Sequence, residues 1–219
     1  MANRPVDLLS LESNLWKQGY RAVAGVDEAG RGPLAGPVVA ACVVFPQDLF
    51  LPEVNDSKRV SAKKREKLLD QILENASEVG IGIVGEETID RMNILNASLK
   101  AMWKAVRKLK SEPEFILVDG NQRIPNLSLP QMPVIKGDSK SLSIAAASIV
   151  AKVIRDRIMF NCHRRYPEFS FAAHKGYATR VHVEALQAFG PCEIHRKSFR
   201  LVKLCQTNQI DLDTRPAAG

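Results

Sequence analysis

The sequence predicts an α/β fold organised as one domain, and three stretches predict it. Two apolar, β-branched runs, Ala22-Val23-Ala24 with Val26 and Pro37-Val38-Val39-Ala40-Ala41-Cys42-Val43-Val44-Phe45, flank a glycine-rich turn, the pattern of an antiparallel hairpin. Phe115-Ile116-Leu117-Val118 is an uninterrupted apolar run ending on Asp119-Gly120, as the buried strands of parallel pairs do. Residues 144–158 are so rich in Ala and branched side chains that they form a helix deep in the molecule. A chain of 219 residues, 45% of them hydrophobic, can fill the single core this requires.

Taken in order, Leu8, Leu9, Leu11, Leu15 and Trp16 recur at near-helical spacing, giving an amphipathic helix within residues 1–20. The hairpin follows, and Gly25-Val26-Asp27-Glu28-Ala29-Gly30-Arg31-Gly32-Pro33 spans its turn. Successive strand residues face opposite ways, so Asp27 and Glu28 converge only if the strand stops there and the glycines re-aim the chain. Gly30 and Gly32 leave the backbone bare to an approaching sugar or phosphate, with Arg31 as a planar cationic fork between them. Ser61 caps a helix reaching about Ala76, striped by Leu68, Leu69, Ile72 and Leu73. Val79, Ile81 and Ile83 alternate with glycines as a third strand running into Val84-Gly85-Glu86-Glu87, and a helix through Ile94, Leu99, Met102 and Val106 comes next.

After the Phe115 strand and a Pro-rich connector, Val134-Ile135-Lys136 reads as a short strand leading to Gly137-Asp138-Ser139-Lys140. Ser139 or Ser141 caps the long helix, which puts Asp138 at the positive end of its dipole. A helix over residues 181–189, a basic segment to residue 200 and a flexible tail over 201–219 complete the chain.

Each acid has a structural explanation of its own. Asp119-Gly120 makes an ordinary strand-ending turn, Asp138 can serve a cap worth ~1 kcal/mol, and an Asp-Glu pair suits a polar hairpin. Together, however, Asp27, Glu28, Asp119 and Asp138 stand at strand ends or a helix start. Clustered carboxylates raise one another's pKa unless a cation neutralises them. Hard oxygen ligands suit Mg²⁺ or Mn²⁺, and two such ions ~3.5–4 Å apart can hold the attacking water and the leaving oxygen of a phosphodiester. The net charge of +7 is uneven: residues 152–203 hold eleven Lys or Arg against four Asp or Glu, which favours a polyanionic partner. Cys42, Cys162, Cys192 and Cys205 lack any CxxC, so reduced thiols fit better than disulfides. Cys162-His163 and Cys192-x-x-His195 lack the spacing of zinc modules. No apolar run approaches a membrane span and no secretion signal opens the chain, so a cytoplasmic, membrane-free protein is expected.

The ordered set of motifs resembles ribonuclease HII, the type 2 branch of the ribonuclease H family, from Val23 to Phe199. It comprises the Gly25 to Gly32 stretch, Asn55-Asp56-Ser57-Lys58, Val118-Asp119-Gly120-Asn121, Lys136-Gly137-Asp138-Ser139-Lys140, Ala145 to Val153 with Arg155-Asp156, His174-Lys175-Gly176-Tyr177, and His195-Arg196-x-Ser198-Phe199. The resemblance implies a ribonuclease H-like fold, with a central mixed five-stranded sheet flanked by helices and a helical C-terminal part. It implies metal binding and catalysis at Asp27, Glu28, Asp119 and Asp138. Substrate contacts are implied at Gly30, Arg31, Gly32, Asn55, Ser57, Lys58 and Tyr177, where the glycine loop reads the ribose 2′-hydroxyl and Tyr177 stacks on the next deoxyribose. Ala178 departs from the glycine or proline of relatives.

The implied reaction is hydrolysis of RNA in RNA–DNA hybrids and at ribonucleotides embedded in duplex DNA, leaving 5′-phosphate and 3′-hydroxyl ends. The implied role is removal of RNA primers and misincorporated ribonucleotides. A monomer is expected. The related ribonuclease HIII carries an extra N-terminal substrate-binding domain, for which the 26 residues before Asp27 leave no room. A non-catalytic nucleic-acid binder would explain the basic surface but not the four acids. Gln209-Ile210-Asp211-Leu212 resembles the start of the peptide by which bacterial replication proteins dock on the sliding clamp, although Asp213 stands where that peptide ends on an aromatic.

Overall fold

The computed structural model describes residues 8–47, 49 and 61–206. Their elements are α1 Ser10–Lys17, β1 Val23–Ala29, β2 Val38–Val44, α2 Ala62–Asn75, β3 Glu78–Val84, α3 Glu86–Met92, α4 Ile94–Val106, β4 Phe115–Asp119, β5 Gln131–Val134, α5 Leu142–Arg165, α6 Phe171–His174, α7 Arg180–Phe189 and α8 Arg200–Gln206. The strands form one sheet in the order β3-β2-β1-β4-β5. The expected hairpin is present, with β1 antiparallel to β2 and β2 antiparallel to β3, while β4 runs parallel to both β1 and β5. This is the mixed five-stranded sheet that the resemblance implies.

Helices cover both faces. One face packs Ala41 and Val43 against the α5 residues Ala145, Ala146 and Ile149, with Leu68, Leu69 and Ile72 of α2 alongside. The other packs Ala24, Val26, Ile116 and Val118 against Ala101, Met102 and Ala105 of α4. Gly25 lets α5 lie close, since a Cβ there would sit 2.2 Å from the Ser143 carbonyl carbon. A separate cluster joins Leu34, Ala35 and Met159 to Phe169, Phe171, Leu186 and Val202. That cluster fastens the C-terminal helices onto the β1–β2 connection.

Four expectations need correction. β1 does not stop at its acids: Asp27, Glu28 and Ala29 pair with Ala41, Ala40 and Val39, because β2 continues alongside them. The third strand ends at Val84, and Glu86 begins a helix, with Gly85 at its N-cap and Glu86 and Glu87 in the first turn, where acids favour the dipole. β5 starts three residues and ends two residues earlier than read, because its partner β4 ends at Asp119 opposite Val134, and Pro133 is tolerated on this edge strand. The tail does not start at residue 201, since Arg200–Gln206 form a helix that buries Val202 and Cys205 in the C-terminal cluster. The capping expectations hold: Ser61 accepts the Lys64 N–H, and Ser141 rather than Ser139 caps α5 by accepting from Ile144.

Candidate active site

Asp119 ends β4 and Asp27 lies two residues before the end of the adjacent parallel β1, near the edge where α/β folds gather ligands. Asp27 shares the sheet face of Gly25 and points towards α5; it is buried, and the Ser148 hydroxyl of that helix bonds its carboxyl. Its Oδ1 also accepts the Glu28 N–H at 2.6 Å. Glu28 leaves the opposite face of the strand, where Arg31 Nη1 approaches its Oε1 to 3.3 Å. Asp119 Oδ1 accepts the Gly137 N–H at 2.7 Å, tying the end of β4 to the 3-10 turn Gly137–Ser139 that carries the buried Asp138. A Cβ on Gly137 would crowd Asp119 Oδ1 at 3.2 Å and Ile144 Cδ1 at 2.6 Å, so glycine allows this contact.

The charges act on one another across these positions. Burial pushes the Asp27 carboxyl well above the usual carboxylate range, and the charges of Glu28 and Asp119 push it further. Burial also raises Glu28, with Asp119 adding to the shift and Arg31 opposing it. Glu28 Oε2 is buried and has no hydrogen-bond partner among the described residues. Two carboxyls held against ionisation beside a third describe a site short of positive charge. Among the described residues, no three His, Cys, Asp or Glu side chains are already closed into a metal cage.

Beside Glu28 lies a cleft of about 440 Å³, lined by Gly30, Arg31, Gly32, Arg65, Ser148, Lys152 and Tyr177 among others. Tyr177 is 45% exposed and borders Gly32, where a Cβ would meet its ring edge at 3.6 Å. The cleft thus joins an acidic end to a basic wall with an open aromatic ring.

A family model described as Ribonuclease HII matches residues 24–202. The chain belongs to the ribonuclease HII family. It is 55% identical over 188 residues to the ribonuclease HII of Caldanaerobacter subterraneus subsp. tengcongensis, covering 86% of this chain and 78% of that one. It is 52% identical to the ribonuclease HII of Geobacter sp. strain M21, covering 98% and 94%. The solved PCNA:RNase HII complex from Archaeoglobus fulgidus superposes with a TM-score of 0.72 at 27% identity, over 87% of this chain and 98% of that one. The fold is ribonuclease H-like, and the protein is a ribonuclease H, an endonuclease that cleaves RNA in RNA–DNA hybrids.

Set against the ribonuclease HII motifs, Asp27, Glu28, Asp119, Gly30, Arg31, Gly32 and Tyr177 fall around this end of the sheet, with Asp138 on the adjoining turn. Asn55, Ser57 and Lys58 lie outside the described residues, as do Gln209 to Leu212. Arg65 lies in none of the motifs, while Ser148 and Lys152 lie in the Ala145 to Val153 one without a role of their own. The signal for the last two was their i, i+4 spacing on one face of α5. His195 Nδ1 accepts the Cys192 N–H at 2.9 Å, and the four cysteines are in no disulfide. Among the described residues, no helix is long and apolar enough to cross a membrane.

The loop bearing Tyr177 is held by histidines. With its Nδ1 accepting from Cys192, His195 carries its proton on Nε2 and donates to His182 Nε2 at 3.0 Å. His182 in turn donates from Nδ1 to the Tyr177 carbonyl at 2.9 Å. Both rings are buried, and burial pushes each down to about 4, so both are neutral at physiological pH.

Proposed function

We propose that Asp27, Glu28, Asp119 and Asp138 hold divalent Mg²⁺ or Mn²⁺ and hydrolyse the RNA strand so that 5′-phosphate and 3′-hydroxyl ends result. The observation that carries this reading is the buried, mutually repelling carboxylate group with its unpartnered Glu28 Oε2. Hard oxygen donors that resist ionisation alone are suited to such cations. Bound there, the ions would supply Lewis-acid stabilisation and an activated water. The chain's own residues do the rest. In their absence Asp27 keeps a proton on its carboxyl more readily than a free aspartate. Ser148 and the Glu28 N–H orient that carboxyl, and the Gly137 N–H orients Asp119.

Arg31, Arg65 and Lys152 line the cleft as phosphate-binding cations. Gly30, Arg31 and Gly32 read the ribose 2′-hydroxyl with bare backbone, and Tyr177 stacks on the sugar that follows the cut. Asn55, Ser57 and Lys58 add substrate contacts. On this reading the substrates are RNA–DNA hybrids and single ribonucleotides in duplex DNA, and the task is removal of primers and misincorporated ribonucleotides. A 5′-labelled duplex with one ribonucleotide, incubated with Mg²⁺, Mn²⁺ or EDTA, tests it. Cleavage abolished by EDTA, leaving a nick that ligase reseals without kinase or phosphatase treatment, is expected; cleavage unaffected by EDTA would overturn the metal assignment.

A clamp contact is a second reading. The Archaeoglobus fulgidus neighbour is itself in complex with PCNA, and Gln209-Ile210-Asp211-Leu212 is the segment here that resembles a clamp-docking peptide. Equal capture on immobilised clamp by the full chain and by one ending at Gln206 would refute it.

A further inference from the structure

The connection between β1 and β2, residues 30–37, is held by two arginines from elsewhere in the chain. Arg155 comes from α5 and Arg196 from the segment before α8, and both are fully buried. A buried guanidinium ordinarily sits against a carboxylate. Here, among the described residues, neither makes an ion pair, and their donors go to backbone carbonyls. Arg196 donates from Nη2 to the Gly30 carbonyl at 2.6 Å and from Nη1 to the Arg31 carbonyl at 3.0 Å. Its Nε and Nη2 also reach the Gly36 carbonyl, at 2.9 and 2.8 Å. Arg155 donates to the carbonyls of Ala35, Pro37 and Lys175, each at 3.0 Å. The Phe199 ring lies 5.1 Å beneath the Arg196 guanidinium. Gly30, with φ +101, leaves the space, since a Cβ there would stand 2.2 Å from Arg155 Nε.

The peptides of this loop are trans, so each carbonyl and the N–H that follows it point in opposite directions. With the Gly30 and Arg31 carbonyls drawn inward to Arg196, the N–H groups of Arg31 and Gly32 face away from it. Neither has an acceptor among the described residues. Both residues line the cleft beside Glu28 and Tyr177. Burial and the neighbouring Arg155 charge draw Arg196 down to about 9, a cost the fold bears to keep a cation behind these two peptides.

We propose that Arg196, backed by Arg155, is the positioning residue of the 2′-hydroxyl reader: its planar fork fixes two carbonyls inward and so aims the Arg31 and Gly32 N–H donors at the ribose. This rests on the reading of residues 30–32 given under Proposed function. A lysine cannot substitute, because a single ammonium lacks the fork that grips two successive carbonyls at fixed angles.

The test measures binding of the full-length protein to a duplex with one embedded ribonucleotide and to the matching all-DNA duplex. Ca²⁺ replaces Mg²⁺ or Mn²⁺ to hold off cleavage, its larger, looser coordination being unsuited to the reaction. Equal affinity of the wild type for both duplexes would overturn the reading of the loop itself. Given a wild-type preference, Arg196→Lys is expected to weaken ribonucleotide binding about tenfold, the cost of misplacing one or two such hydrogen bonds. All-DNA binding is expected to stay unchanged. An unaltered preference, or an equal loss on both duplexes as general damage would give, overturns the proposal. Phe199→Leu strips the ring from the guanidinium while keeping an apolar side chain, and is expected to reduce the same preference by a smaller factor. If Arg196→Lys does not fold, a wild-type preference in Phe199→Leu overturns the proposal.

Discussion

The His182–His195 pair makes the stability of this enzyme sensitive to mild acid. Each ring is held to about 4 in the folded protein against 6.5 when free. A second proton on His182 would set two N–H groups against each other across the 3.0 Å contact, and one on His195 would face the Cys192 N–H. Because the folded values lie below the unfolded ones, the unfolded chain takes up protons first. The stabilisation is complete above about pH 6.5 and is lost as pH falls towards 4. Between pH 7.5 and 5.5 this amounts to about 1.3 kcal/mol per histidine, or roughly 2.5 kcal/mol for the pair. For a domain of this size that is about 5–10 °C of melting temperature. Asp27 and Glu28 act in the opposite sense, since their raised values make the metal-free fold easier to keep as they protonate. Comparing wild type with His195→Asn by thermal melts across this range cancels that common contribution. The variant is expected to lose about 1.3 kcal/mol less on acidification. The same slope in both proteins would refute the reasoning.

The remaining expectations concern the site and its packing. Asp119→Asn preserves volume and the acceptor for the Gly137 N–H, so hybrid binding and melting temperature should hold while cleavage falls about 100-fold or more, measured in both Mg²⁺ and Mn²⁺. Asp27→Asn removes a buried charge under repulsion, so calorimetry should show a higher melting temperature without metal and a smaller gain on adding Mn²⁺. Tyr177→Ala should reduce cleavage at one embedded ribonucleotide about tenfold or more while sparing long hybrids, by loss of a stacking contact worth ~1–3 kcal/mol; an equal drop on both would assign the ring to packing. Gly25→Ala should destabilise by at least ~1–3 kcal/mol in urea melts, because its methyl would meet the Ser143 backbone at 2.2 Å.

The sequence by itself determined the α/β class, the hairpin followed by a parallel strand, and the helix cap at Ser61, while for α5 it offered Ser139 or Ser141 and the fold chose Ser141. These depend on neighbours within a few positions: the alternation of apolar residues, the length of an apolar run, a hydroxyl three residues from an N–H. It also marked Asp119 and Asp138, each beside a glycine, and Asp27 and Glu28 within two residues of one, and the order of the motifs named the family. Only the tertiary structure decided that β1 continues past its acids, because β2 pairs alongside, and that β5 ends where β4 does. The same holds for the basic C-terminal segment. By composition, Arg155 and Arg196 count as charge for a polyanion, yet the fold buries both, along with His182 and His195. Arg196 finds its carbonyl partner 166 positions away at Gly30. Burial and partnership of that kind arise from contacts between distant segments, which no local pattern encodes.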